Sequence, residues 1–311
     1  MTPRARAVGW QVLVVAVVVA IAAAVAAQTA ANLDMRGIAS GFGYLERAAG
    51  FEISPGPVAY SSHDSYARAL GVGLLNTLRV SLLATAIAAA LGVMIGAARL
   101  SHIWIVRALS TTYVEVMRNT PLLLQLLFWY AVSQALPDPQ HALNPLPGVF
   151  LCFRGLYLPS LGGRPVFAGF DYHGGIAVSP EFAALLIGLS TCTAAFIGEI
   201  VRGGILAVGK GQTEAAASLG FSRRQRFWLI VFPQALRVIV PPTTSQFLNL
   251  VKNSSLAVAI GYPDLLSITN TTLNQTGQAI EAIALTATIY LTIGLTISLC
   301  MNLGDRAAAY G

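Results

Sequence analysis

The chain has 311 residues, 55% hydrophobic and only 10% charged, with a mean hydropathy of +0.67; soluble domains carry about 25% charged residues, so a membrane protein is expected. The net charge of +6 is scattered between long apolar runs rather than gathered on one polar face, which argues against a nucleic-acid partner. Cys152, Cys192 and Cys300 make no disulfide framework, and His63, His102, His141 and His173 have no metal-ligand spacing, so no metal site is expected.

The first apolar run, about Gly9 to Ala31, follows the basic Arg4 and Arg6 and is long enough to cross the ~30 Å hydrocarbon core as a helix. Ala26-Ala27-Gln28 offers a small-residue cleavage site, but the apolar region of a secretory signal usually runs only about 7–15 residues, so a retained anchor is expected. Residues 32–68 mix charges with Gly, Pro and Ser and mark an extramembrane loop. Further spans are expected at about Leu70–Ala98, Thr111–Leu136, Ser179–Val201, Phe227–Val251 and Ala279–Leu303, giving about six in an all-α polytopic membrane protein. Between the third and fourth, residues 137–178 are rich in Pro and Gly without helical periodicity, and an insertion outside the membrane is expected there.

Orientation follows from the excess of Lys and Arg on cytoplasmic loops. With the N-terminus inside, the cytoplasmic side holds Arg4, Arg6, Arg99, Arg107, Arg118, Arg202, Lys210, Arg223, Arg224, Arg226, Arg237 and Arg306. The other side holds Arg36, Arg47, Arg68, Arg154 and Arg164, with Arg79 and Lys252 near membrane edges. Both termini are therefore expected in the cytoplasm.

Gly204 to Lys210 spells G-x-x-x-x-G-K, the opening of a phosphate-binding loop. Such a loop needs a preceding strand and a Ser or Thr after the Lys; here Gly211 follows Lys210 and a membrane helix precedes Gly204, so no nucleotide site is expected. Instead Thr213 can cap a short helix with Glu214 in its first turn, and Gly220 can close it in a left-handed conformation. Ser222 can cap the next helix, which begins Arg223-Arg224. A helix of about two turns does not hold together alone in water, so something must pack on it. Ala215, Ala216 and Ala217 are small enough to admit another protein's backbone, and Glu214 can pair with a cation.

The run Glu214-Ala215-Ala216-x-x-x-Gly220, followed after nine residues by Ile230-x-Phe232-Pro233, resembles the signature loop of ABC importer permeases, with Phe232 where Leu is usual. The stretches Tyr113 to Gln125, Phe196 to Ile205 and Lys210 to Ala216 are similar to permeases of polar amino-acid importers. Gly73-Leu-Leu-Asn76-Thr77-Leu78 and Arg154-Gly-Leu-Tyr157-Leu-Pro159 are most similar to the first permease subunit of general L-amino-acid importers. Many members of that subfamily carry additional membrane segments before the fourth span, where this chain has only the short link 171–179. The resemblance implies a type I ABC importer permease fold, with residues 1–69 as N-terminal anchor and periplasmic loop and residues 70–311 as a permease domain of five core helices. It implies that Glu214, Ala215, Ala216 and Gly220 form a helix coupled to an ATP-binding subunit dimer. It further implies a second permease subunit beside this one as a heterodimer, a periplasmic amino-acid-binding protein, and a place in the bacterial inner membrane. The chain would have no catalytic residues or cofactor of its own, ATP and Mg²⁺ being bound by the partner ATPase.

Two E-x-x-R pairs, Glu115 with Arg118 and Glu199 with Arg202, sit near cytoplasmic ends of expected spans, where i,i+3 partners can neutralise one another. Since charge inside a bilayer is costly, they either line the cytoplasmic end of a pathway or brace the helices structurally. Lys252-Asn253-Ser254-Ser255 interrupts an apolar stretch; broken backbone at membrane depth is tolerated against protein or water, so this segment is expected to face a central cavity, or else to be an outer loop. The function expected is ATP-driven import of L-amino acids through a subunit that is not itself an enzyme. The alternative is an ion-gradient-driven secondary transporter, in which the paired E-x-x-R segments would belong to repeats.

Overall fold

The computed structural model describes residues 3–35, 37, 40–53, 56, 58–160 and 163–310. Arg36, and the side chains of Arg4, Arg6 and Arg306, which entered the charge reading, lie outside what is described. The helices are α1 (Pro3–Met35), α2 (Tyr66–Ala98), α3 (Trp104–Asn119), α4 (Leu122–Gln134), α5 (Pro180–Leu206), α6 (Lys210–Ser218), α7 (Arg223–Arg226), α8 (Phe232–Asn253), α9 (Leu265–Thr276) and α10 (Ala279–Tyr310).

The centre is the pair α2 and α5. Along α2, Ala84, Ala88, Gly92 and Gly96 recur every fourth residue and so share one face. A Cβ at Gly92 would lie 2.5 Å from Ile197, and one at Gly96 would lie 2.7 Å from Val201. The two backbones thus approach through small residues, the usual device where lipid removes the hydrophobic drive between helices. On the other side of α5, Leu126 of α4 fills the space left by Gly188. Val80, Leu126, Leu185, Leu189 and Leu250 are fully buried in the resulting core.

Among the described residues four helical stretches are long and apolar enough to cross a membrane: Val8–Thr29, Tyr66–Ala98, Pro180–Leu206 and Ala279–Met301. Of the other two expected spans, one is broken and the other is continuous but irregular. The third is not one helix over 111–136 but α3 and α4, broken at Thr120-Pro121, because the residue before proline is pushed into extended backbone. Gln125 bridges the break: its Nε2 donates to the carbonyls of Met117 and Thr120, both at 3.0 Å. In the fifth, a π-helical turn at Phe227–Val231 leads into α8, which carries Pro241 and Pro242 in its interior and so lacks hydrogen bonds there.

Strands occur within the insertion, which departs from the otherwise helical architecture. Strands β1 (Leu143–Leu146), β2 (Val149–Cys152), β3 (Gly155–Leu158) and β6 (Ile176–Val178) form an antiparallel sheet in the order β1-β2-β3-β6, and β4 (Val166–Ala168) pairs with β5 (Asp171–His173) as a hairpin. Gly155, with φ +139°, lets β3 close on β6, since a Cβ there would lie 2.3 Å from the carbonyl oxygen of Val178. Tyr172 stacks on Phe150 at 4.4 Å between ring centroids. Asp171 accepts from the Tyr157 hydroxyl at 2.6 Å and from Arg154 at 3.0 Å. Burial pushes the Asp171 carboxyl up, but the hydrogen bonds from Tyr157, the Tyr172 N–H and Arg154 outweigh it and hold it below the usual value.

Candidate functional site

Near the C-terminal end of α5, Glu199 accepts two hydrogen bonds from Arg202, at 2.5 and 3.3 Å. Its second partner is the guanidinium of Arg99, the residue that ends α2. Arg99 is the more enclosed, its side chain 10% exposed against 28% for Glu199. One carboxylate thus ties α2 to α5 on the side where the basic residues gather. Sequence reasoning missed Arg99 as a partner, although a cation placed directly after a long apolar run was the available signal.

The second E-x-x-R pair does not close. Arg118 lies over the ring of Phe196 at 5.3 Å from its centroid, and no ion pair forms between it and Glu115, which is exposed. The expected mutual neutralisation therefore fails, because the aromatic face of α5 offers the guanidinium another seat.

The short basic segment after α5 forms α6, but not with the start expected. Gly209 precedes its first residue, Thr213 lies inside the helix with its hydroxyl donating to the Lys210 carbonyl at 2.7 Å, and Glu214 is beyond the first turn. The C-terminal reading holds. Gly220 has φ +82°, its N–H donates to Ala217 at 3.0 Å, and the N–H of Phe221 donates to Ala216 at 3.1 Å, together a Schellman closure. Ser222 and Gln225 then form a capping box for α7. Of the alanines, Ala216 points inward and is 2% exposed, whereas Glu214, Ala215, Ala217 and Gly220 face outward beside Leu219, which is 78% exposed. The outward face is short, apolar and edged by a carboxylate.

Lys252 to Ser255 remains helical, so the outer-loop alternative does not hold. α8 runs through Asn253 and tightens into a 3-10 turn at Ser254–Ile260, and the break comes at Gly261, with φ +76°. The hydroxyls of Ser254 and Ser255 bond back to the carbonyls of Val251 and Lys252, both at 2.7 Å, which keeps these polar groups satisfied without breaking the chain. Ser254 is buried, and Asn253 is exposed. Lys252 and Ser255 line a cleft of about 650 Å³ with Thr269, Thr286 and Tyr290.

The run Gly73 to Leu78 proves to be a clamp on the connection between α8 and α9. A Cβ at Gly73 would lie 3.1 Å from the Asp264 carbonyl, Asn76 donates to the Pro263 carbonyl at 3.0 Å, and the Thr77 hydroxyl accepts from the Leu265 N–H at 3.0 Å. Asp264, assigned no role from the sequence, is fully buried there and caps α9. Among the described residues no group of three His, Cys, Asp or Glu is placed to hold a metal ion.

Comparison with known proteins gives this geometry a context. Residues 88–309 match the model of a family described as the binding-protein-dependent transport system inner membrane component. The putative amino-acid ABC transporter permease protein YhdX of Escherichia coli is 44% identical, with 99% of this chain and 95% of that protein covered. The general L-amino acid transport system permease protein AapQ of Rhizobium johnstonii is 39% identical, with 96% and 91% covered. These alignments run over 373 and 365 positions, so the relatives carry segments that this chain lacks. A solved structure described as the crystal structure of an amino acid ABC transporter with histidines superposes with a TM-score of 0.60 at 28% identity, covering 78% of this chain and 95% of that one. The chain belongs to the family of binding-protein-dependent inner-membrane transport components, and its helical body is the type I ABC importer permease fold.

Proposed function

We propose that this chain is the permease subunit of an ATP-driven importer of L-amino acids, worked from the cytoplasmic side through α6. The observation that carries the reading is a closed two-turn helix, seated by Ala216, that leaves Glu214 and Ala215 exposed together with Leu219 at its end. Exposed apolar surface of this kind marks an interaction site. Movement of α6 reaches the membrane directly, since only Ala207 to Gly209 separates it from α5 and the capping box at Ser222 joins it to α7 and α8. The Arg99–Glu199–Arg202 cluster then obliges α2 to follow α5. On this reading Glu199 and Arg202 brace the inner end of the pathway, Glu115 and Arg118 face a second, non-identical permease subunit, and Lys252 to Ser255 lie along the cavity between them. Both termini are cytoplasmic, and ATP and Mg²⁺ belong to the partner subunits.

The test uses Ala215→Trp and Leu219→Arg in the purified complete assembly. Uptake is expected to fall at least tenfold while the permease stays in the membrane. Wild-type uptake together with wild-type substrate-stimulated ATP hydrolysis in both variants would refute the coupling role. Ala216→Trp is the less discriminating variant, since that side chain faces inward.

A further inference from the structure

Arg79 and Arg99 stand at the two ends of an uncharged stretch of α2, residues 80–98. At 1.5 Å per residue they are about 30 Å apart, the thickness of a bilayer's hydrocarbon core. Arg99 has a carboxylate partner; Arg79, at the outer end, makes neither an ion pair nor a hydrogen bond among the described residues, and its guanidinium lies over the ring of Phe182 at 4.7 Å from the centroid. Glu181, next to Phe182 in the first turn of α5, is likewise without an ion pair or hydrogen bond. Both side chains line one cavity of about 110 Å³, closed by Asn76, Val178 and the buried Tyr262.

Two opposite charges facing one small cavity without joining each other are the complement of a zwitterion. We infer that this cavity receives the head group of an amino acid at the outer mouth of the permease, its carboxylate on Arg79 and its ammonium on Glu181, an inference that rests on the import reading above. The size agrees: a water's share of liquid is about 30 Å³, so the space suits a cluster of four or five non-hydrogen atoms, as in the amino, α-carbon and carboxyl group. The side chain has its own room. A second cavity of about 440 Å³ shares Val178, Ser179 and Glu181 with the first and adds Tyr130, Gln134 and the Arg154–Asp171 pair. Fixing the common head group and leaving the variable part in a roomy polar space selects amino acids as a class rather than one of them.

Proteoliposomes containing the complete assembly, internal ATP and saturating loaded binding protein test this. Arg79→Gln and Glu181→Gln are each expected to lower uptake at least tenfold, with Arg79→Lys keeping part of it. If the Arg79 variant fails to assemble, Glu181→Gln, a neutral isostere at an outer helix end, decides alone. Unaltered uptake in an assembled glutamine variant overturns the site while leaving the import reading intact; absence of amino-acid uptake by the wild type overturns the import reading itself. Phosphatidylethanolamine presents the same paired charges. If wild-type uptake collapses in vesicles lacking that lipid and the variants are indifferent to it, the occupant is a lipid head group and the amino-acid site is wrong.

Discussion

The two E-x-x-R pairs share a spacing and, on the proposed orientation, a position near the cytoplasmic ends of their helices, yet one closes around Arg99 and the other stays open. Glu199 lies on α5, most of whose apolar length is buried, and it meets the end of α2. Glu115 lies on α3, whose outward face is free. Identical local chemistry therefore has different outcomes according to what the fold brings alongside. On the proposed reading the open pair faces the second permease subunit, and the closed pair is a joint within this one.

The sharpest way to break this contrast is Glu199→Ala. It leaves two guanidiniums without a shared anion, and the cost is expected to be about 2–3 kcal/mol, below the ~3–5 kcal/mol of a fully buried pair because Glu199 keeps some solvent contact. Thermal unfolding of the detergent-solubilised subunit measures it. Adding Arg99→Ala should cost less than the sum of the single changes, because neighbours within one network are not additive; strict additivity would mean that the joint is not a unit. Glu115→Ala should change the stability of the isolated subunit by less than about 0.5 kcal/mol while lowering recovery of the complete assembly several-fold on affinity purification. Equal recovery would show that the open pair faces lipid rather than a partner.

A small effect, confined to the insertion, is expected at Asp171. Its carboxyl is held below the ordinary value, so its bonds to Arg154 and Tyr157 stabilise the insertion above the unfolded carboxylate value of about 3.9 and are lost as the pH falls through the folded one. The near-ultraviolet signal of Tyr157 and Tyr172 should fade in acid in the wild type. Asp171→Asn should show that weakening already at neutral pH, by under about 1 kcal/mol for so exposed a pair, with a flatter acid response.

Much of the local structure was legible because it depends on near neighbours. Gly220 ends α6 and Ser222 opens α7 because those residue types satisfy helix termini. Pro121 broke the third span by a rule equally local, though apolar continuity masked it. What was not legible depends on residues far apart in the chain. That Arg99 reaches Glu199, that Gly73 to Thr77 grip Pro263 and Leu265, and that Ala216 rather than Ala215 turns inward are products of packing, which no spacing encodes. Hydropathy was weakest at separating helices that meet protein from those that do not: α1 and α5 read alike, yet the apolar window of α1 is 0% buried and that of α5 is 67% buried.

The arginines at either end of the uncharged stretch of α2 also act as a ruler. One is fixed by a carboxylate on α5 and the other lies over an aromatic ring at the opposite end of that same helix, so neither can slide without disturbing α5. A membrane made thicker by long acyl chains must therefore thin around the protein, and a thinner one tilts the helix pair. Bilayer thickness thereby acts on α2 and α5 as one body, through geometry alone.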